Sequence, residues 1–97
     1  MVYTVDQIRS IAAPIAASYG IRSVSLFGSY ARGEATDSSD IDLLIDRGDV
    51  ISGFKLGGLY EDLCENLGKE LDLVTQQAVS SAFLEKIQND LIPLYTE

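Results

Sequence analysis

Histidine and tryptophan are both missing from this 97-residue chain, and cysteine occurs once, as Cys64. Without histidine there is neither the usual general base near neutral pH nor the commonest nitrogen ligand for zinc. Any chemistry must run on carboxylates, hydroxyls, lysine, arginine or backbone amides. A single cysteine cannot close an internal disulfide. No apolar run approaches the roughly 20 residues that a membrane span needs. The opening MVYTVDQIRS lacks the basic start and apolar stretch of a signal peptide. Together these absences lead us to expect a cytoplasmic protein that does not act at a membrane.

Positive charge is also scarce. Lysine and arginine number 7 against 15 acidic residues, a net charge of -8. Such a domain repels duplex DNA and long RNA unless a cation or a local set of amides reverses the field. No direct nucleic-acid partner is therefore expected. A basic protein or a metal-bound small nucleotide suits the charge better.

What is present is an ordinary globular composition, 46% hydrophobic, and a length that suggests one domain over residues 1–97. Thr4 and Gln7 have the spacing of a capping box and open a first helix. Val5, Ile8, Ile11, Ala12, Ile15, Ala16 and Tyr19 continue it as an apolar stripe, with Pro14 expected to kink it and Gly20 to stop it. Residues 21–27 read as a strand with Val24 and Leu26 on one face. A short helix over 30–34, ended by Gly33, and a polar turn over 36–39 follow. The β-branched and leucine-rich run 41–45 reads as a buried strand.

Leu56, Leu59, Tyr60, Leu63 and Leu67 mark a second long helix whose start is blurred by Gly57-Gly58. Residues 70–75 read as a third strand. Phe83, Leu84, Ile87 and Leu91 read as a last helix ending near Pro93, with a short extended tail. The expected fold is α/β (α+β): a small mixed β-sheet with helices packed on it.

The chemistry concentrates where Gly28-Ser29 ends one strand and Asp40-Ile41-Asp42 begins the next. Residues two apart on a strand face the same way, so Asp40 and Asp42 would project together with Ile41 turned inward. Two adjacent carboxylates repel, and a divalent cation relieves that repulsion. Oxygen ligands select Mg²⁺ or Mn²⁺ over zinc. A solvated acidic turn is the plainer reading, and Asp37 with its serines fits it. Asp42 fits it less well, because Leu43, Leu44 and Ile45 follow. Glycine lets the backbone approach a phosphate, and the next amides with the Ser29 hydroxyl can donate to it. A Gly-Ser after one strand and an Asp-x-Asp on the next would put phosphate donors and metal ligands at one edge of the sheet.

Residues 28–45, GSYARGEATDSSDIDLLI, resemble the signature of minimal nucleotidyltransferases in the DNA polymerase beta superfamily. The size of the chain and its order of elements are similar to that group as well. The resemblance implies that Asp40 and Asp42 bind Mg²⁺, with two ions expected, and that Gly28 and Ser29 hold the triphosphate of ATP. It also implies a third carboxylate on a later strand. Asp72 is favoured because it lies deeper in its apolar run, while Glu70 shares its face and stays open as an alternative. Its role would be general base or ligand of the second metal.

Arg32 is a candidate phosphate contact, since an arginine fork suits phosphate oxygens, or else a solvent-facing helix residue. Tyr30, Tyr60 and Tyr95 read as core or rim packing, and Cys64 as core.

For a stand-alone chain of this kind the resemblance implies an antitoxin. It would be encoded with a HEPN-domain ribonuclease toxin and would transfer AMP to a hydroxyl on that partner. Two other readings stand beside it: a module that neutralises a partner by contact alone, and a nucleotide sensor that binds ATP and Mg²⁺ without turnover.

Overall fold

The computed structural model describes residues 2–50 and 52–97. The first helix, α1 (Val5–Ser18), starts at the expected capping box. The Thr4 hydroxyl accepts from the Gln7 amide and the Gln7 side chain accepts from the Thr4 amide. The helix continues past Pro14, which lies on its exposed side, and gives way at Tyr19 and Gly20. Ile8, Ala12 and Ala16 are the turns it buries.

Strand β1 (Ser23–Phe27) runs straight into the short helix α2 (Gly28–Arg32), which Gly33 closes in the left-handed conformation, φ 74°. Residues 36–39 form the polar turn, closed by the Ser39 amide donating to the Thr36 carbonyl. Strand β2 (Ile41–Asp46) follows. Helix α3 (Gly53–Leu67) begins earlier than its leucines imply, because the Ser52 hydroxyl caps the Lys55 amide and carries the helix through Gly57-Gly58. Strand β3 (Leu71–Thr75), helix α4 (Ser81–Ile87) and strand β4 (Ile92–Thr96) complete the order.

The four strands lie in the order β3-β2-β1-β4. β2 is antiparallel to β1 and parallel to β3, so the sheet is mixed, as expected. The tail is a full edge strand, antiparallel to β1. Pro93 sits in it where the ladder shifts register, and an edge strand tolerates the missing donor there. Accordingly α4 stops at Ile87, and Leu91 belongs to the turn that follows it.

Alternation sorts the sheet into two faces. Val24, Leu26, Ile41, Leu43, Ile45 and Leu71 share a core with Ile8, Ala12 and Ala16 of α1 and Leu59, Leu63 and Leu67 of α3. Phe27, Leu44 and Ile87 form a smaller core on the other face, roofed by α4, where Phe83 meets Phe27 edge-on at 5.8 Å. The acidic residues lie at one end of that face, level with Phe27.

Candidate active site

Strand pairing explains why distant acids meet. Phe27, the last residue of β1, stands opposite Asp42 on β2. Asp42 stands opposite Asp72 on β3. The final residue of β1 and the opening residues of β2 and β3 therefore share one edge of the sheet. Asp40 directly precedes β2, on the exposed side of the wholly buried Ile41. Asp42 alternates with Ile41 and Leu43, so it faces the α4 side together with Leu44. The same alternation gives Asp72 that face, between Leu71 and Leu73 of the larger core.

The three acids feel one another. The Asp42 carboxyl titrates above its ordinary value, first because it is partly buried, then because of the charge on Asp72 and that on Asp40. Arg32 opposes the rise. Like charges crowded at a half-buried point favour protonation or a bound cation.

The bend after β1 completes the edge. Gly28 has φ 76°, a conformation that costs a side-chain-bearing residue about 1 kcal/mol or more. A Cβ at this position would overlap Asp42 Oδ2 and stand 2.9 Å from Asp42 Cγ. Only a bare backbone lets the chain lie against that carboxylate. Helix α2 starts at this residue, and its N-cap, Phe27, offers no side-chain hydrogen bond. Phe27 therefore supplies no acceptor to the first amides of the helix. Ser29 is half-buried beside them.

Arg32 closes the other side of α2. It is paired with Glu34 at 3.0 Å and with Asp90, beyond α4, at 2.9 Å. Sequence reasoning did not reach Asp90, because nothing local marks a residue that arrives from the far end of the chain. Glu70 lies just outside β3, where its carbonyl accepts from the Ile41 amide at 3.3 Å.

The donor set fits a hard divalent cation. It is all carboxylate oxygen, and it is strained by its own charge. Among the described residues, no group of three His, Cys, Asp or Glu side chains is already drawn together at metal-binding spacing. The acids lie along one edge without forming a closed cage.

Residues 10–97 match the family described as Polymerase beta, Nucleotidyltransferase. The chain belongs to this nucleotidyltransferase family. A protein of Methanocaldococcus jannaschii named "putative protein adenylyltransferase" is 35% identical over 88 residues, covering 91% of this chain and 95% of that one. The solved structure of a "putative minimal nucleotidyltransferase" superposes with a TM-score of 0.82 at 28% identity, over 94% of this chain and 96% of that chain. A structure of a tri-AMPylated HEPN toxin of Shewanella oneidensis in complex with MNT antitoxin gives a TM-score of 0.74 at 18% identity, over 97% and 74% of the two chains. At that identity the likeness is one of fold.

The nucleotidyltransferase assignment agrees with what residues 28–45 implied, and the mixed sheet with helices agrees with the expected order of elements. No helix among the described residues is long and apolar enough to cross a membrane.

Proposed function

We propose that this nucleotidyltransferase moves AMP from ATP onto a hydroxyl of a partner protein, a HEPN-domain toxin, and so acts as its antitoxin in the cytoplasm. In this reading the acceptor oxygen attacks the α-phosphorus in line. The bond from that phosphorus to the bridging oxygen breaks, pyrophosphate leaves, and the acceptor proton passes to Asp72. Asp40, Asp42 and Asp72 would hold Mg²⁺, with two ions expected, and the metal would supply charge neutralisation on the phosphates.

The residues around the acids then handle the phosphates. The opening amides of α2 and the Ser29 hydroxyl donate to the triphosphate, and Gly28 lets it come close. Arg32 adds its fork to the phosphates once it leaves Glu34 or Asp90. Most of the rate comes from positioning and charge, as in phosphoryl transfer generally.

The observation that carries the reading is the close approach of the Gly28 backbone to the Asp42 carboxylate. It brings a phosphate-type bend and a metal-type acid to one point. The name of the M. jannaschii relative supports a protein as acceptor. The toxin complex that shares this fold supports AMP and a HEPN partner. The net charge of -8 suits a partner that itself binds RNA.

The test is incubation with Mg²⁺, ATP labelled on the α-phosphate, and the protein encoded beside this chain. Label on the neighbour is expected, and its absence counts against the role. Neutralisation that survives the double change Asp40→Asn and Asp42→Asn would replace transfer with contact alone. Tight binding of ATP and Mg²⁺ with no pyrophosphate released would leave a sensor.

A further inference from the structure

A large aromatic stands almost bare on α3. Phe54 is 95% exposed, in the first turn of the helix. Beside it lies a hollow of about 280 Å³ lined by Gly53, Phe54, Gly57, Gly58 and Glu61. That volume is below the usual range for a whole small-molecule ligand and suits one or two inserted side chains.

The glycines of this hollow differ in what the fold asks of them. Gly58 packs on α1, where a Cβ would meet the Tyr19 hydroxyl at 3.2 Å. A Cβ at Gly57 would meet nothing within 4 Å. Glycine inside a helix is costly relative to alanine, and nothing in this chain requires it at Gly57. The feature it preserves is the open groove beside Phe54.

Charge selects the occupant. Glu61 is the charged residue that lines the hollow, Lys55 follows Phe54 in the chain, and the whole chain carries -8. A second copy of this chain would bring like charge to the same face. A basic partner would bring the opposite sign, and an exposed aromatic beside a pocket is the usual form of an interface anchor.

We propose that the Phe54–Gly57 face of α3 docks a basic segment of the acceptor protein, which inserts apolar side chains into the hollow. This rests on the reading that the chain acts on a partner protein. The surface lies apart from the acids. Helix α3 packs on the opposite face of the sheet, and its first turn lies at the far end of β2 from Asp42. Docking is therefore an anchoring step separate from transfer. The molecule measures 33 × 30 × 20 Å, so an extended acceptor segment of about ten residues spans it.

The experiment measures the affinity of the full chain for the protein encoded beside it, by calorimetry, in wild type, Phe54→Ala and Gly57→Leu. Thermal melts and binding of a non-hydrolysable ATP analogue with Mg²⁺ are read in parallel. Phe54→Ala is expected to melt like wild type and Gly57→Leu at or above it, and both to bind nucleotide like wild type while losing about tenfold or more in partner affinity. The first atom of the new side chain in Gly57→Leu meets nothing within 4 Å, and the rest narrows the groove.

Unchanged partner affinity in both variants overturns the surface, and so does a wild type that does not bind the neighbour. A Phe54-dependent dimer of this chain alone overturns the choice of occupant. AMP labelling of the neighbour at wild-type efficiency in both variants also overturns the docking face while keeping the transferase reading. Phe54-dependent binding with no label keeps the docking face and sinks that reading.

Discussion

Gly28 and Asp42 touch so closely that the glycine has no room for a side chain: a methyl group there would overlap Asp42 Oδ2 and stand 2.9 Å from Asp42 Cγ. The two residues sit on neighbouring elements only because Phe27, immediately before the glycine, is the strand partner of Asp42. Gly28→Ala therefore faces two penalties. The left-handed backbone costs about 1 kcal/mol or more, and the overlap pushes the bend away from the acid. Displacement of about 1 Å in such a site can cost on the order of 100-fold in rate. The expected outcome is a lower melting temperature and a transfer rate down by about that factor. Adding Asp42→Ser should recover much of the melting temperature and none of the activity. Recovery of both would mean that the Asp42 carboxylate has no part in the chemistry.

Asp42 is held at half-burial beside two other acids, an arrangement that works against folding when no cation is present. Asp42→Asn removes the repulsion and keeps the shape. The variant is expected to melt at or above the wild-type temperature in metal-free buffer and to lose transfer by on the order of 100- to 1000-fold. Mg²⁺ with an ATP analogue should raise the melting temperature of the wild type by mass action and that of the variant far less. A chelator should abolish transfer and return the wild type to its metal-free melting point. Scanning calorimetry with and without Mg²⁺ checks all of this, and an equal Mg²⁺ response in both proteins would remove Asp42 from the metal site.

Much of this edge was legible because its signals are local. A capping box, a glycine after an apolar strand and an Asp-x-Asp before another are each written in a few adjacent residues, and pairing β1 against β2 then brings them together. The parts that were not legible depend on distant partners. The tail became β4 only because β1 had a free edge, and Pro93 could join it only as an edge residue at a register shift. The start of α3 was hidden by Gly57-Gly58, whose cost is offset by a serine cap and by the leucines further along. The Arg32–Asp90 pair joins residues far apart in sequence, and no periodicity foretells it.

Arg32 is half-exposed, so its ion pairs contribute little to stability. Arg32→Ala should leave the melting temperature nearly unchanged. If its fork turns to the phosphates during the reaction, the KM for ATP should rise about tenfold, the equivalent of one charge-assisted hydrogen bond. Steady-state kinetics decide this. Unchanged kinetics would leave Arg32 as a surface ion-pair residue.

The far end of the sheet carries the pH dependence that is free of the site. Asp46 Oδ1 accepts from the Gly48 amide at 3.0 Å and from the Gln77 side chain at 2.6 Å, and Arg22 stands 3.9 Å from Oδ2. These contacts, the Gly48 amide foremost, hold its carboxyl below the ordinary 3.8. The folded state therefore binds fewer protons than the unfolded state around that pH. The stabilisation is complete above the ordinary value and is lost as pH falls through the lower, folded one. Asp46→Asn should melt lower than wild type at pH 7, and the gap should close below about pH 4. A gap that stayed constant with pH would assign the effect to packing.

Asp72 and Glu70 present the sharpest choice in the site, because alternation gives both the same face. The ladder separates them. Asp72 is in register with Asp42 and raises its pKa, whereas Glu70 stands before the strand and engages Ile41 through its backbone carbonyl. A change of side chain at Glu70 leaves that carbonyl in place. Glu70→Gln should therefore keep transfer within about twofold of wild type, inside the small effect typical of surface changes. Asp72→Asn should lose about 100- to 10,000-fold in kcat if it takes the acceptor proton. A metal ligand and a general base part company over pH. Loss of a base flattens the acid limb of the kcat profile, whereas loss of a ligand shifts the Mg²⁺ concentration needed for half-maximal rate. Measuring both profiles in the two variants assigns the third carboxylate, and full activity in Asp72→Asn with a crippled Glu70→Gln would move the role to Glu70.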